Sequence, residues 1–379
     1  MDFTYDAEQV ALRDAVRALL GKAYGDYENR RRVVGAEPGY EVDVWRHLAG
    51  MGVLGLPFAE SDGGSGAGPV EVSIVARELG RVLAPEPFLS SVVLAGGLVA
   101  AVGTDPQRAE VLGALSSGEL VPAFAHAEPG TRWTPAATGV SAIRQGGGWR
   151  LTGTKEPVVH GAPAERLAVS AALPGGGTGL FLVDGSATGL TRHGYPLVDG
   201  GRAARVVLDD AAAEPLGEPV DRTAEIERVL AAARIIAANE ALGAMEVALD
   251  TTVGYLKSRR QFGVTLSTFQ ALTFRAADMY VALETTRSLV AWATMVLAEA
   301  PEQVIEAGRR AGLKTARAGR HIGQEAIQLH GGIGMTAEYS IGAYTAHLAT
   351  LEHLLGTGHD CLASLAAGVG DHDALDPLD

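Results

Sequence analysis

The spacing of apolar residues changes twice along this 379-residue chain, and no other feature constrains its architecture as strongly. Up to about residue 119 apolar residues recur every three or four positions, which is the period of an amphipathic helix. Between 120 and 222 they form short runs separated by glycine-rich turns, and from 223 the helical period returns over long segments. This order predicts an α+β protein with a helical domain at each end and a β domain between them.

The N-terminal domain, residues 1–119, is predicted to be all-helical. The first helix carries four apolar residues on one face, Leu12, Val16, Leu19 and Leu20. The turn Ser-Asp-Gly-Gly-Ser-Gly at 61–66 interrupts the helical pattern. Pro69 suits the first turn of the next helix, because the N–H that proline lacks would have no partner there.

The middle domain, residues 120–222, is predicted to be a small antiparallel β-barrel or sandwich. Five short strands are predicted at about 121–126, 149–152, 167–172, 180–183 and 205–208. Gly146-Gly147-Gly148 and Gly175-Gly176-Gly177 stand between predicted strands and favour tight turns.

The C-terminal domain, residues 223–367, is predicted to be a four-helix bundle, followed by a disordered tail at 368–379. The helices are expected at about 224–258, 268–299, 302–330 and 341–367. In the second helix one stripe of apolar residues indicates a face packed against its neighbours: Phe269, Leu272, Ala276, Met279 and Leu283.

Charge and cysteine content exclude several classes of function. A net charge of −14 argues against nucleic-acid binding, which needs clustered Lys and Arg. The single cysteine, Cys361, cannot form an internal disulfide, and no basic-then-apolar leader is recognisable. The longest apolar stretches are too short and too interrupted for a membrane span. We therefore expect a cytoplasmic protein without a metal site.

Three motifs follow one another in the predicted bundle. They are Arg259-Arg260-Gln261-Phe262-Gly263, Phe269-Gln270 and Gln328-Leu329-His330-Gly331-Gly332-Ile333-Gly334. In this order and at this spacing they resemble the Arg-x-x-Phe-Gly, Phe-Gln and Gln-x-x-Gly-Gly-x-Gly elements of the acyl-CoA dehydrogenase family. The resemblance covers nearly the whole chain, and it implies the fold of that family, with helical domain, barrel and bundle in this order.

The resemblance implies that the bundle motifs bind the ADP half of FAD. Arg259 offers a planar fork of donors for a pyrophosphate, which a lysine would not reproduce. Gln270 and Gln328 can each donate and accept hydrogen bonds toward ribose or adenine.

Further cofactor contacts are implied at Phe262, Gly331, Gly332 and Thr357. At the two glycines no side chain stands between the backbone N–H groups and an anion. In the family this clamp reaches a flavin that is bound mainly by a neighbouring subunit, so an oligomer is implied.

The catalytic base of the family is missing at both of its known positions. Most members place a glutamate immediately before a Gly-Thr pair, and here Leu355 precedes Gly356-Thr357. Other members place it on the first bundle helix before an arginine, which corresponds to Arg234, and here that position holds Ala233. Neither leucine nor alanine can accept a proton. Arg234 itself is retained and is predicted to belong to the catalytic site.

Glu240 is the nearest carboxylate on the same helix. It stands seven residues after Ala233, on the same face and roughly 10 Å further along the helix. Three roles are open for it: an unusual base that acts on a shifted substrate, a partner for a polar group in the acyl chain, or a satisfied polar residue beside Asn239.

The contacts of the flavin ring also depart from the family. After Glu128-Pro129-Gly130 a small residue and a serine are usual, whereas this chain has Arg132 and Trp133. Pro157 and Val159 stand where a Trp and a Thr commonly contact the ring. The clamp for ADP is therefore predicted to be intact, while the ring pocket of the same chain is weakened.

Three hypotheses follow. The first is a subunit of a heteromeric acyl-CoA dehydrogenase that acts on a bulky acyl-CoA, similar to the heteromeric enzymes of actinobacterial sterol side-chain breakdown. The second is a self-sufficient homotetramer with Glu240 as its base, and the third a non-catalytic structural subunit without flavin function. The resemblance implies an acyl-CoA or other acyl thioester as substrate, a tetramer of one or two kinds of subunit, and an electron-transfer flavoprotein as redox partner.

Overall fold

The computed structural model describes residues 4–131 and 133–371. Arg132 and residues 372–379 lie outside the described residues, and with them most of the tail that was predicted to be disordered. Within that tail, residues Val369–Asp371 form a single 3₁₀ turn. The predicted sequence of helices, strands and helices is confirmed.

The N-terminal domain is helical, as predicted. It contains α1 (Ala7–Tyr24), α2 (Tyr27–Val34), α3 (Val42–Gly50), α4 (Pro69–Val82), α5 (Gly97–Val102) and α6 (Asp105–Ser116). Short 3₁₀ turns at Val53–Gly55 and Glu60–Asp62 precede α4, and a π-helical segment, Phe88–Gly96, leads into α5. Helix α1 starts where the Asp6 carboxylate accepts from the backbone N–H groups of Glu8 and Gln9, at 2.9 and 2.8 Å. Pro69 is the first residue of α4, as expected.

Seven strands form the middle domain, two more than predicted. They are β1 (Pro122–Ala125), β2 (Ser141–Gln145), β3 (Gly148–Val159), β4 (Arg166–Ala172), β5 (Thr178–Asp184), β6 (Leu190–Pro196) and β7 (Arg202–Pro215). Strands β2 and β6 were missed because most of their residues are exposed or half-buried, so they carry little apolar alternation. The glycine turns lie between β2 and β3 and between β4 and β5, as predicted.

The strands close into a barrel, but the prediction of a purely antiparallel sheet is wrong. Five strands pair in a ring, β2 with β3, β3 with β7, β7 with β5, β5 with β4 and β4 with β2. Strand β1 runs parallel to β4, and the contact between β2 and β4 is also parallel. The apolar pattern of a strand reports which face is buried and not the direction of its neighbour, so this feature had no local signal.

The C-terminal domain packs long helices side by side. They are α7 (Thr223–Ser258), α8 (Gln270–Glu299), α9 (Val304–His330), α10 (Ile341–Leu354) and α11 (Gly358–Ala367). A two-stranded hairpin, β8 (Arg260–Gln261) and β9 (Val264–Thr265), joins α7 to α8, and 3₁₀ turns occupy Leu266–Thr268, Pro301–Gln303 and Gly331–Met335. Helix α9 contacts α7, α8, α10 and α11. In the predicted stripe of α8, Met279 and Leu283 are buried, whereas Phe269 remains 36% exposed.

The prediction of a single fourth helix at 341–367 is wrong, because the helix is interrupted between α10 and α11. Gly356 has a φ of 96°, in the left-handed region that glycine adopts without strain. Thr357 then caps α11, accepting from the Asp360 N–H at 3.2 Å and donating to Asp360 Oδ2 at 2.7 Å. This glycine and capping pair are a local signal that the helical period concealed.

Helix α7 lies against α4 at very short backbone distance. A Cβ added to Gly80 would lie 1.9 Å from the carbonyl oxygen of Glu240, and one added to Gly243 would lie 2.0 Å from that of Arg77. The absence of both side chains lets the two helices touch. This packing brings Glu240 to the boundary between the N-terminal domain and the bundle. None of the helices within residues 4–131 and 133–371 is long and apolar enough to cross a membrane.

Candidate functional site

The three bundle motifs meet at one end of the bundle. Helix α7 ends at Ser258, α8 begins at Gln270 and α9 ends at His330. The ring of Tyr255, in the last turn of α7, stacks on His330 with ring centroids 4.6 Å apart. Arg275 of α8 donates to Glu325 of α9 at 2.5 Å. These contacts bring the ends of the helices that carry Arg259, Gln270, Gln328, Gly331 and Gly332 to one region, and we call these five residues the bundle-end cluster.

The polar side chains of the bundle-end cluster are available to a ligand. Arg259, Gln270 and Gln328 are exposed, and their side chains make no hydrogen bond or ion pair within the described part of the chain. Gly331 has a φ of 65°, and a Cβ added to Gly331 or Gly332 would find nothing within 4 Å. A free guanidinium beside bare backbone is an arrangement that fits a pyrophosphate. The observed geometry therefore fits the ADP half of FAD.

Phe262 lies at the tip of the β8–β9 hairpin. Its side chain is 90% exposed, and its ring lies in an edge-to-face arrangement with that of Phe269, at 6.1 Å between centroids. Phe262 is thus no core residue of the single chain, and it projects beside the start of α8. Such an exposed aromatic side chain is available to a cofactor or to a neighbouring subunit.

Thr357 does not belong to the bundle-end cluster. The next residue, Gly358, packs against Ala316 of α9, where an added Cβ would be 2.8 Å from the Ala316 side chain. From Ala316 to Gln328 the helix rises by about 18 Å. The hydroxyl of Thr357 is also engaged, because it caps α11.

The two empty base positions lie close to each other in the structure. Arg234 Nε donates to the carbonyl oxygen of Leu355 at 2.7 Å, and Ala233 beside it is fully buried. A small cavity of about 40 Å³ is lined by Arg234, Thr315, Glu352, Leu355 and others. Burial lowers the pKa of Arg234, since the surroundings disfavour its charge. No carboxylate hydrogen-bonds to the Arg234 guanidinium among the described residues.

Trp133 fills space between the barrel and the break that follows α10. A Cβ added to Gly356 would lie 3.4 Å from Trp133 Cβ, 3.7 Å from Trp133 Cγ and 3.8 Å from Arg234 Nη2. Gly356 is thus enclosed between an indole and a guanidinium. A cleft of about 250 Å³ opens beside it, with Trp133, Pro157 and His353 in its walls. Trp133 and Pro157 are two of the residues at which the sequence departs from the expected ring pocket.

A buried ion pair in the barrel orders the loop that carries Trp133. Lys155 is fully buried, and its Nζ donates to Glu128 Oε1 at 2.7 Å. Glu128 Oε2 accepts from the backbone N–H of Gly139 at 2.7 Å, and Oε1 from that of Val140 at 3.1 Å. The Glu128 carboxylate therefore connects the barrel position before Trp133 to residues 138–140, which follow Trp133 in the sequence.

Glu240 belongs to a buried chain of three charged groups. His347 of α10 joins Glu240 Oε1 through Nε2 at 3.0 Å and Asp199 Oδ2 through Nδ1 at 2.9 Å. All three side chains are at most 11% exposed. Burial alone would disfavour the imidazolium, but the hydrogen bonds to both carboxylates outweigh it and raise the pKa of His347 to about 9. His347 is therefore charged at neutral pH, and its imidazolium lies between the carboxylates of Asp199 and Glu240.

These three groups line part of a cavity of about 90 Å³ where the three domains meet. On its other side stands Glu86, which accepts a short hydrogen bond from the Tyr24 hydroxyl through Oε1. Glu86 Oε2 is buried and has no hydrogen-bond partner among the residues that the structure describes. Burial, opposed by the Tyr24 hydrogen bond, raises the pKa of Glu86 to about 7. Leu355 lines both this cavity and the small cavity at Arg234, so the two are neighbours.

Asp199, His347 and Glu86 were not identified from the sequence. Each is a single polar residue within an otherwise ordinary segment, and their partners lie 148, 107 and 62 positions away. No spacing rule connects residues at such separations. Glu240 was identified as noteworthy, but its partner His347 was not.

Comparisons with known proteins agree with this architecture. The N-terminal domain of acyl-CoA dehydrogenases matches residues 6–119, and the C-terminal domain of the same enzymes matches residues 224–369. The human mitochondrial short-chain specific acyl-CoA dehydrogenase is 30% identical over 305 residues, which are 77% of this chain and 74% of that protein.

Two solved structures are similar over almost the full length. The Tcur3481-Tcur3483 steroid ACAD is 32% identical, with a TM-score of 0.88 over 96% of this chain and 98% of the compared chain. The ChsE4-ChsE5 complex from Mycobacterium tuberculosis is 27% identical, with a TM-score of 0.89 over 99% and 100% of the two chains.

Proposed function

This chain belongs to the acyl-CoA dehydrogenase family, and we propose that it is a subunit of a heteromeric FAD-dependent enzyme that desaturates an acyl-CoA thioester between its α and β carbons. Members of the family are oxidoreductases that bind FAD. In the proposed assembly this subunit contributes the bundle-end cluster to an FAD whose ring system is held by a related partner subunit.

One contrast carries the proposal. The bundle-end cluster presents a free guanidinium, two free carboxamides and open backbone at Gly331 and Gly332. At the other site Trp133 packs against Gly356, and Leu355 stands where most of the family has its base. A chain that keeps the clamp but has altered the reaction site can still complete the site of an intact partner.

Bound FAD would accept the β-hydrogen of the substrate as a hydride. The contribution of this chain is electrostatic and positional: Arg259 would neutralise the pyrophosphate, and Gln270 and Gln328 would orient the adenosine. Proton abstraction from the α carbon falls to a glutamate of the partner subunit, since neither Leu355 nor Ala233 can accept a proton.

A bulky acyl group is supported by the similar structures. The name of one of them describes a steroid ACAD, and another is a complex of two chains. An electron-transfer flavoprotein is proposed as the acceptor that reoxidises the flavin.

Glu240 is a less suitable base than a partner's glutamate. Its Oε1 is held by the His347 imidazolium at 3.0 Å, which stabilises the negative charge and occupies one of the two proton-accepting oxygens. A homotetramer that relies on Glu240 would have to break this contact to take a proton from its substrate.

The test is co-expression with a related dehydrogenase subunit, followed by counting FAD per chain. We expect one FAD for each pair of chains, and Arg259→Ala should weaken FAD binding by roughly tenfold or more because a charge-assisted contact is lost. Lys257→Ala serves as the matched control, because it removes an exposed cation from the last turn of α7, two residues before Arg259.

Two other results would favour the alternatives. Unaltered FAD content in Arg259→Ala would indicate a structural subunit without flavin function. Turnover by this chain alone, abolished in Glu240→Gln, would indicate the self-sufficient homotetramer. Either result would overturn the heteromeric proposal.

A further inference from the structure

The cavity at the junction of the three domains has apolar walls with a few buried charges. Leucine side chains from α4, from the π-helical segment and from α10 form much of its surface, including Leu79, Leu94 and Leu354. Glu86, Glu240 and His347 also line it, together with Arg30. An apolar group of limited size fits such a space, and the charged side chains decide which polar atoms it can carry.

Three cationic side chains, Arg30, Arg202 and His347, line the wall, and each makes hydrogen bonds of its own. His347 is hydrogen-bonded on both ring nitrogens, to Glu240 and Asp199. Arg30 donates from Nε to the Leu83 carbonyl at 2.6 Å and from Nη2 to the Asp199 carbonyl at 2.8 Å. The His347 imidazolium therefore offers no free N–H to an anionic ligand, whereas Arg202 Nε is buried without a partner among the described residues. Three cationic side chains and three acidic ones, Glu86, Asp199 and Glu240, line the cavity, so the wall favours no net charge on a ligand.

Two carboxylate oxygens remain without partners. Glu240 Oε2 makes no hydrogen bond within the described residues, and the Glu240 side chain keeps 11% exposure in the wall of the cavity. Glu86 Oε2 is likewise unpartnered. The Glu240 carboxylate oxygen accepts hydrogen bonds and cannot donate them, so its complementary group on a neutral ligand is a hydroxyl. Glu86, with its pKa raised to about 7, can also donate from Oε2 when it is protonated. A ketone in the same place would direct its lone pairs at a fixed negative charge.

We propose that this cavity binds an apolar group that carries a hydroxyl, and that Glu240 Oε2 accepts the hydrogen bond from that hydroxyl. His347 is the positioning residue, since its bond to Oε1 fixes the carboxylate and leaves Oε2 without a partner among the described residues. As far as the hydroxyl belongs to the acyl part of a thioester, the inference rests on the proposed function. It assigns Glu240 to substrate selection and makes hydroxylated acyl groups the preferred class.

The experiment compares the affinity of the co-purified complex for matched probes by calorimetry. The probes are octanoyl-CoA, its derivatives with a hydroxyl on carbon 6, 7 or 8, and the oxo or aldehyde counterparts of these derivatives. The series places the polar atom far along the chain, because Glu240 lies roughly 10 Å along the helix from Ala233. Free 1-octanol and octanal form a second arm that tests the cavity without the thioester.

We expect at least one hydroxylated probe to bind roughly tenfold more tightly than its carbonyl counterpart, as a hydrogen bond to a charged acceptor would give. Glu240→Gln should bring this ratio close to one, because a carboxamide can donate to a carbonyl. Glu227→Gln makes the same chemical change near the start of the same helix, where Glu227 pairs with Arg309, and it should preserve the ratio.

Equal affinities for hydroxylated and carbonyl probes at every position would overturn the inference. This comparison uses the wild-type complex, so it does not depend on whether a variant folds. A ratio that persists in Glu240→Gln would overturn the role of Glu240. Selective binding of 1-octanol without binding of any thioester would support hydroxyl recognition and identify a free alcohol as the ligand, while contradicting the acyl-CoA substrate. The FAD count of the complex is measured separately and reports only on the proposed function.

Discussion

Arg234 Nε donates a hydrogen bond to the carbonyl oxygen of Leu355 at 2.7 Å, across 121 positions of the sequence. The two residues mark the two places where the family carries its base, and in this chain neither place holds a carboxylate. Instead, the buried guanidinium stabilises the end of α10. The last carbonyl groups of a helix lack partners within the helix, and Arg234 supplies the donor for that of Leu355. An arginine expected at the catalytic site thus has a structural role that the geometry explains.

Arg234→Ala should loosen the break between α10 and α11. The Leu355 carbonyl would lose its donor, and we expect amide exchange of residues 356–361 to accelerate about tenfold. Hydrogen exchange followed by mass spectrometry measures the local opening of this segment. The free energy of global unfolding is less informative, because removing a buried charge also removes its desolvation cost and partly offsets the lost hydrogen bond. Arg228→Ala, at an exposed position of the same helix, should leave exchange unchanged. Unchanged exchange in Arg234→Ala would contradict the assignment.

Gly356→Ala should destabilise the protein by about 1–3 kcal/mol. Its φ of 96° is strained for alanine, whereas the new Cβ would only touch Trp133 at 3.4 Å, an ordinary van der Waals contact. Chemical denaturation measures the free energy of unfolding. Gly254→Ala is the matched control, because Gly254 lies inside α7 with open space around it, and there the change should stabilise by up to about 1 kcal/mol. Similar effects of the two substitutions would refute the explanation.

The stabilising contribution of the protonated His347 should be lost as the pH rises. Its folded pKa of about 9 is above the ordinary value of 6.5, so its contribution is complete below pH 6.5 and is lost as the pH passes through 9. We expect a loss of roughly 3 kcal/mol at most across this window. The measured quantity is the difference between the unfolding curves of wild type and His347→Gln, since other groups titrate in both. A difference that does not vary between pH 6.5 and 9 would show that His347 is neutral.

Glu86→Gln should stabilise the protein above neutral pH. The pKa of Glu86 is raised from 4.5 to about 7, so the buried protonated form is favourable below pH 4.5 and this contribution is lost as the pH rises through 7. At pH 8 the wild type must keep a buried negative charge, which glutamine avoids at a gain of roughly 1–3 kcal/mol. The measurement is the thermal unfolding of the wild type and of Glu86→Gln at pH 5 and at pH 8. Glu60→Gln, in an exposed turn, should change neither value.

Much of the architecture was predictable because it depends on neighbours in the sequence. The alternation of helical and strand periods identified the three regions, and Pro69 and the glycine turns marked ends of elements correctly. The motifs at Arg259, Gln270 and Gln328 could be recognised for the same reason, since each lies in one short segment next to a helix end. Strands β2 and β6 escaped detection because a strand with few buried residues has no apolar alternation to detect.

The order of helices and strands, the helical N-terminal domain and the short motifs that carry Arg259, Gln270 and Gln328 were thus determined by the sequence itself, through local periodicity and spacing. Only the tertiary structure decided that β1 runs parallel to β4, that Trp133 packs on Gly356, and that His347 stands between Asp199 and Glu240. The physical reason is that hydrogen bonds and burial join groups that are close in space. When those groups come from segments tens to hundreds of positions apart, their pairing is set by the packing of the folded chain and leaves no pattern in either segment.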